Sequence, residues 1–142
     1  MSSFTLIDTS AWIFALGPKP IVKIRERLEY LVEQNLAAVT SPILFELLSG
    51  VANSSDTQRL KVHLSSLHPF PFLTEEWIDA AEWIQSLRKK GMKVKSMDGL
   101  IAFKAIKHGL TVLHADADLD RLAKKCDIKI ESYVDLVRRT VH

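Results

Sequence analysis

The segment Phe4-Thr5-Leu6-Ile7-Asp8-Thr9-Ser10, residues 4–10, decides the fold class. Its first four residues form a short apolar run, which predicts a buried strand. The run stops at Asp8, and the residues that follow are of the kind that begin helices, with Ser10 predicted as the cap. A buried strand that leads directly into a helix is typical of α/β proteins.

The same alternation continues along the rest of the chain. Apolar runs predict further strands at residues 37–40, 110–113 and 128–130. Helical spacing predicts helices at 10–16, 20–32, 41–50, 60–67, 75–90, 96–108, 119–125 and 133–139, with Ser96 as a cap and a loop at 53–56. Pro69 and Pro71 are predicted to stop the fourth of these helices. Strands alternating with helices predict a parallel sheet covered on both faces.

Length and composition exclude several classes of protein. The 142 residues predict one domain, 1–142, and 47% hydrophobic with 25% charged residues exclude a disordered chain. The lone Cys126 excludes a disulfide framework and indicates a reducing compartment. We expect a cytoplasmic protein with no membrane contact, because neither a signal peptide nor a long apolar run is visible. A net charge of +2 is too small to indicate a nucleic-acid or membrane partner.

Carboxylates follow two of the predicted strands, at the point where each strand ends. Asp8 comes directly after the first strand, and Asp116 and Asp118 follow the strand at 110–113. In open α/β sheets the ligand crevice lies outside the carboxyl ends of the strands, so these acids are predicted to line it. The alternative is that Asp8 caps a helix and Asp118 opens one, both common roles for aspartate.

Two more acids lie on predicted helices. Glu46 interrupts an apolar run, and its helix face carries small or polar residues, which leave room for a ligand or form an ordinary solvated stripe. These neighbours are Pro42, Ser49, Gly50 and Asn53. Asp98 lies in the first turn after Ser96, where the helix dipole alone favours a carboxylate. Its apolar neighbours predict that it lies at the edge of the core.

Acids that converge at one sheet edge repel one another unless a cation is present. Oxygen ligands without a His or Cys cluster select Mg²⁺ or Mn²⁺ over zinc, and such sites hydrolyse phosphodiester bonds. Five cations precede Asp98 and could hold the phosphates of a nucleic acid, or form a solvated helix end. They are Arg88, Lys89, Lys90, Lys93 and Lys95.

Four segments together resemble the PIN-domain family, and within it the VapC-type toxin ribonucleases of toxin–antitoxin pairs. The segments are residues 6–13, 41–50, 96–102 and 109–119, in the family's order. The resemblance implies a three-layer α/β/α fold with a short, mainly parallel sheet. It also implies Mg²⁺- or Mn²⁺-dependent endoribonuclease activity on RNA, a homodimer, and inhibition by a small antitoxin protein.

The resemblance also implies roles for individual residues. Asp8 and Asp98 become the main metal ligands, Glu46 completes the acidic cluster and Asp116 supplies the fourth acid. Asp118 is a further catalytic acid, and whether it or Asp116 faces the metal is left open. Ser10, Lys93 and Lys95 are the expected substrate contacts. The chain departs from the family at His114, where a small hydroxyl residue is common, and this puts in doubt how substrate is positioned near Asp116.

Two other functions compete with this interpretation, and the sequence also bears on assembly. One alternative is a catalytically idle PIN-like module that binds protein or RNA. A phosphotransferase with Asp8 as nucleophile needs an acid two residues on, where Ser10 stands. The apolar stripe Trp77, Ile78 and Ile84 exceeds what a short core needs, so we expect it to form a homodimer contact, beside an apolar groove for an antitoxin helix.

Overall fold

The protein is represented by a computed structural model that describes residues 3–140. The strands are β1 Thr5–Ile7, β2 Ala37–Thr40, β3 His68–Phe70, β4 Thr111–His114 and β5 Lys129–Ser132. The helices are α1 Thr9–Leu16, α2 Val22–Glu33, α3 Ser41–Ser49, α4 Ser54–Ser65, α5 Thr74–Lys89, α6 Ser96–His108, α7 Ala117–Ala123 and α8 Val134–Thr140. No helix within residues 3–140 is both long enough and apolar enough to cross a membrane.

The five strands form one parallel sheet in the order β3-β2-β1-β4-β5. Every residue of β1 and β2 is buried, so helices cover both faces of the sheet centre. This confirms the predicted α/β/α architecture with its parallel sheet.

The strand order reverses beside β1. The chain passes from β1 to β2 and β3 on one side, and then places β4 and β5 on the other side. Ile7 pairs with Leu113, and the backbone N–H of Asp8 donates to the Leu113 carbonyl at 3.0 Å. The residues that follow β1 and β4 therefore enter one crevice at the switch point of the sheet.

Strand β3 was missed by the sequence analysis, which predicted only that Pro69 stops a helix. The strand lies at the sheet edge, where a proline is tolerated because one row of N–H groups needs no partner. Its own apolar pattern is short, and His68 stacks on Phe4 with ring centroids 4.3 Å apart. This tertiary contact has no signal in the local sequence.

The predicted loop at 53–56 was also wrong. Helix α4 begins at Ser54, and the Asn53 side chain caps it by accepting the Asp56 N–H at 2.9 Å. Polar residues that read as a loop are here a helix start, because Asn is among the preferred cap residues.

Both predicted serine caps lie one or two residues from the true cap. Asp8 caps α1 by accepting the Ser10 N–H, and Lys95 occupies the cap position of α6, where its side chain makes no capping hydrogen bond within residues 3–140. Ser10 and Ser96 are instead inside their helices. The carboxylate of Asp8 is the stronger acceptor of the two candidates for α1, which explains the shift.

The stripe on α5 divides between core and surface. Ile84 is buried at 4% exposure, whereas Trp77 is 40% and Ile78 53% exposed. Placing Ile84 on the same surface as Trp77 and Ile78 was therefore wrong. Ile84 packs on α6, where a Cβ built on Gly99 would lie 2.5 Å from its Cδ1. The absent side chain lets the start of α6 lie directly on α5.

Candidate active site

Asp8 enters the crevice from the end of β1 and is 5% exposed. Its Oδ2 accepts the Ser10 N–H at 3.1 Å and the Ser10 hydroxyl at 2.5 Å. The same hydroxyl oxygen accepts the Ala115 N–H at 2.9 Å, just past the end of β4. Ser10 therefore ties the two strand ends together and fixes the orientation of the Asp8 carboxylate.

Asp98 lies in the first turn of α6 and is buried, as predicted, at the edge of the core. Its Oδ2 is buried and has no hydrogen-bond partner among residues 3–140. Burial, and then the negative charges of Asp116 and Asp8, raise the pKa of Asp98 to about 7. A buried carboxylate oxygen without a donor is costly, which indicates that a cation or proton belongs beside it.

Asp116 and Asp118 extend from the start of α7. Asp116 caps the helix, since its Oδ1 accepts the Asp118 N–H at 2.9 Å. Asp98, Asp116 and Asp118 each offer a carboxylate oxygen, and these atoms lie within 4.8 Å of one another. The capping role and membership of an acidic cluster therefore coexist in Asp116.

The electrostatics of the acidic cluster are unfavourable without a counter-ion. The pKa of Asp8 is raised, chiefly by burial and further by the charge of Asp116, although the two bonds from Ser10 oppose the shift. Several carboxylate oxygens fit a hard divalent cation, and so does the buried Asp98 oxygen that lacks a partner in the described part of the chain. We call the region formed by Asp8, Asp98 and Asp116 the acidic crevice.

Glu46 lies apart from the close oxygen group. Its Oε1 accepts the Thr9 hydroxyl at 2.7 Å, one residue from Asp8. Glu46 and Thr9 both line a cavity of about 740 Å³ bounded by α1, α3 and one side of α4. Gly50, one of the small neighbours noted in the sequence, lines the same cavity. We call this space the apolar groove, because Trp12, Ile13, Leu16, Leu47 and Leu60 line it.

A second cavity, of about 470 Å³, is lined in part by Asp98 and Asp118. We call it the basic cavity; it is lined by Arg88, Met92, Lys93, Val94, Lys95, Asp98, Asp118, Arg121 and Leu122. Lys95 Nζ lies 2.5 Å from Asp118 Oδ2, and the Arg121 guanidinium pairs with Asp118 Oδ1. Arg121 was missed by the sequence analysis. Its spacing of three residues from Asp118 on a helix was the available signal.

His114 does not line the crevice as a substrate contact would. Its side chain is completely buried, and its Nδ1 accepts the Asp116 N–H at 3.1 Å. Its Nε2 lies 3.3 Å from Asp120 Oδ1. Burial lowers the pKa of His114, so the neutral ring is favoured, with the proton on Nε2. His114, which replaces the family's small hydroxyl residue, therefore does not contact substrate. It supports the backbone that carries Asp116, by accepting the Asp116 N–H.

The fold and the crevice define an α/β protein whose buried acids meet at the switch point of a parallel sheet, flanked by cations. The family model described as PIN domain matches residues 5–125. This match covers most of the chain, and the protein belongs to the PIN-domain family.

Two curated relatives extend this assignment. Ribonuclease VapC11 of Mycobacterium tuberculosis is 35% identical over 138 residues, which cover 90% of this chain and 98% of the relative. Ribonuclease VapC2 of Rickettsia felis is 29% identical over 112 residues, 76% of this chain and 83% of that protein.

Solved structures show the same fold. The structure of DNA-bound VapBC from Salmonella typhimurium has a TM-score of 0.72 at 27% identity, with 94% of this chain and 99% of that chain covered. VapBC2 from Rickettsia felis, bound to a DNA fragment from its promoter, has a TM-score of 0.71 at 24% identity, with 91% and 98% covered.

Proposed function

We propose that this protein is a divalent-metal-dependent endoribonuclease and the toxin of a toxin–antitoxin pair. The observation that carries the proposal is the acidic crevice, where a buried oxygen of Asp98 has no hydrogen-bond partner within the described residues 3–140 and lies beside Asp116 and Asp8. The two relatives named ribonuclease, matched over 90% and 76% of this chain, support RNA as the substrate.

In this proposal Asp8, Glu46, Asp98 and Asp116 would hold Mg²⁺ or Mn²⁺. The chemistry that such an ion would supply is activation of a water molecule and neutralisation of charge on the phosphoryl oxygens. Ser10 orients Asp8, because its hydroxyl already donates to Asp8 and accepts from Ala115. A hydroxyl accepts two hydrogen bonds, so Ser10 keeps one acceptor position for a substrate hydroxyl.

The substrate side of the proposal rests on Lys93 and Lys95. Both line the basic cavity that also contains Asp98, so they lie where phosphates of a bound strand would pass. Of the five cations noted in the sequence, Arg88 has a different role. Its guanidinium donates to the Val94 carbonyl at 2.7 and 3.1 Å, and therefore supports the loop that carries the two lysines.

The proposed partner is a small antitoxin protein that docks in the apolar groove. The groove is mostly apolar and includes Glu46, which accepts the Thr9 hydroxyl next to Asp8, so a segment bound there would lie beside the acidic crevice. The solved structure of VapBC-5 from Mycobacterium tuberculosis, described as a member of the VapBC family of toxin–antitoxin systems, supports such a partner. We also propose a homodimer in the cytoplasm.

The proposal is tested with purified full-length chain, freed of any bound protein, and a set of labelled RNAs. We expect cleavage with Mg²⁺ or Mn²⁺ that stops in excess EDTA, and that is abolished in Asp98→Asn. Asp135→Asn, which makes the same change in the exposed first turn of α8, is the control and should cleave normally. RNA binding without cleavage under every metal condition would favour the idle binding module instead.

A further inference from the structure

We propose that the basic cavity binds one backbone phosphate of the RNA strand beside the bond that is cut, with Lys95 and Arg121 as its ligands. In the same arrangement Asp118 is a positioning residue for these two cations and does not hold the metal. The inference rests on the proposed function, because it takes RNA as the strand that crosses the acidic crevice.

Asp118 is paired with two cations. Both of its carboxylate oxygens are already engaged, Oδ2 by Lys95 Nζ at 2.5 Å and Oδ1 by the Arg121 guanidinium. Asp98, by contrast, keeps a buried oxygen with no partner among residues 3–140. A carboxylate whose two oxygens each face a cation is a poor ligand for a further cation, since the like charges repel. The three clustered acids therefore divide into metal ligands and a cation holder.

The two cations outnumber the carboxylate that holds them. One carboxylate, Asp118, faces two permanent cations, so the group keeps a net positive charge, and Lys93 on the same wall adds to it. The two side chains are otherwise exposed, Lys95 by 74% and Arg121 by 67%. Without Asp118 each long side chain would sample many rotamers. Held by it, both present donors to the same space, which suits a phosphate diester.

The loop that carries Lys95 is itself fixed. Arg88 donates to the Val94 carbonyl at 2.7 and 3.1 Å and to the Ser96 hydroxyl at 3.3 Å. Lys95 lies between these two anchors, in an extended conformation at the cap position of α6. Asp98 is three residues further on and lines the same cavity. The cation site is therefore built into the same helix start as the proposed metal ligand.

The test of the phosphate site is a binding measurement without catalysis. Binding of a labelled single-stranded RNA to the full chain is measured in EDTA over a range of salt. We expect the double variant Lys95→Ala/Arg121→Ala to raise Kd several-fold and to lower the slope of log K against log salt by about 0.7, the value for one phosphate on a single strand. The double variant Lys23→Ala/Arg138→Ala removes two exposed charges outside the cavity and should change the slope much less.

The test of Asp118 is a metal measurement without RNA. Mn²⁺ binding is measured by calorimetry for the wild type, Asp98→Asn and Asp118→Asn. We expect the Kd for Mn²⁺ to be at least tenfold higher in Asp98→Asn than in Asp118→Asn. Equal weakening in the two variants would make Asp118 a metal ligand and overturn its assignment as a positioning residue.

The outcomes separate this inference from the proposed function. If the wild type cleaves RNA with Mn²⁺, and Lys95→Ala/Arg121→Ala keeps the wild-type KM and salt slope, the phosphate site is wrong and the proposed function stands. If the wild type never cleaves RNA but the double variant lowers the salt slope, the phosphate site stands and the nuclease proposal fails. Wild-type binding in EDTA that does not depend on salt would also overturn the phosphate site.

Discussion

At the scale of single residues, Asp98 is where the needs of folding and of the proposed chemistry oppose each other. A first-turn carboxylate stabilises a helix through its dipole by about 0.3–1 kcal/mol. Burial and two neighbouring acids act against the same group and raise its pKa to about 7. Because a shift of one pKa unit corresponds to about 1.4 kcal/mol, the unfavourable effects are larger than the dipole effect.

The raised pKa of Asp98 predicts how Asp98→Asn changes the free energy of unfolding. The pKa of Asp98 in the folded protein lies above its ordinary 3.8, so its favourable contribution is present at low pH and is lost as pH rises through about 7. In EDTA at pH 8 we expect Asp98→Asn to be more stable than the wild type by about 1–2 kcal/mol, and at pH 5 the difference should shrink. Urea unfolding at both pH values measures it.

The metal and a matched variant complete this experiment. Mg²⁺ at about 100 times its Kd should stabilise the wild type by about 2.7 kcal/mol and Asp98→Asn far less. Asp135→Asn in the first turn of α8 has no such burial and should lose only a few tenths of a kcal/mol at either pH. An Asp98→Asn variant less stable than the wild type in EDTA at pH 8 would leave only the helix-dipole role.

The acids of the crevice could be predicted from the sequence, but the residues that pair with them could not. Asp8 and Asp116 could be placed because each follows a buried apolar run, and the carboxyl ends of parallel strands share an edge. The different roles that we propose for Asp116 and Asp118 could not be predicted. It depends on where Lys95 and Arg121 reach in space, and spacing along the chain does not determine that.

At the scale of elements, a buried ion pair joins α5 to α6 and so holds the helix that carries Asp98. Lys104 is 1% exposed, and its Nζ donates to Glu76 Oε2 at 2.5 Å and to the Pro71 carbonyl at 2.9 Å. Lys107 also donates to Glu76, at 2.9 Å. The hydrogen bonds from the two lysines lower the pKa of Glu76 to about 2.

We predict that Glu76→Gln destabilises the fold strongly at neutral pH. The variant leaves the Lys104 charge buried without a counter-ion, which costs about 3–5 kcal/mol when one partner of such a pair is removed. The contribution of Glu76 is present above its ordinary pKa of 4.5 and is lost as pH falls through about 2. The difference between the wild type and Glu76→Gln in urea unfolding should therefore narrow between about pH 5 and pH 2.

The neighbouring residue provides the control for this pair. Glu75→Gln removes the same charge from the same helical turn, but Glu75 is exposed, so a change below about 0.5 kcal/mol is expected. Equal losses in Glu75→Gln and Glu76→Gln would show that net charge, and not the buried pair, is responsible.

The elements themselves could be predicted from the sequence to different degrees. Strand β2 at Ala37–Thr40 has the predicted bounds, because its short apolar run is followed at once by Ser41-Pro42, which begins a helix. Strand β3 could not be predicted, since an edge strand needs only a few backbone bonds, and its proline carries the opposite local signal. The Glu76–Lys104 pair has no sequence signal either, because on α6 Lys104 reads as an ordinary polar position.

At the scale of the whole molecule, the apolar surface is unevenly distributed. Leu73, Trp77 and Ile78 form a patch at the start of α5, with 64%, 40% and 53% of each residue exposed. Single exposed apolar residues are normal, but a contiguous patch that includes a tryptophan is typical of an interface. Phe72 lies behind it, with its ring centroid 4.6 Å from that of Trp77, so the tryptophan is held in place.

We predict that two copies of the chain associate through this patch. Light scattering at tens of micromolar should give a mass of about 32 kDa, twice the 16.0 kDa of one chain. Ile78→Asp places a charge at the centre of the contact and should give the single-chain mass, with little loss of stability because Ile78 is already half exposed.

Val62→Asp makes the same change at a residue of α4 that is 71% exposed and should remain dimeric. If Ile78→Asp and the wild type have the same mass, the patch is not the contact, and a wild-type mass near 16 kDa would contradict the dimer itself.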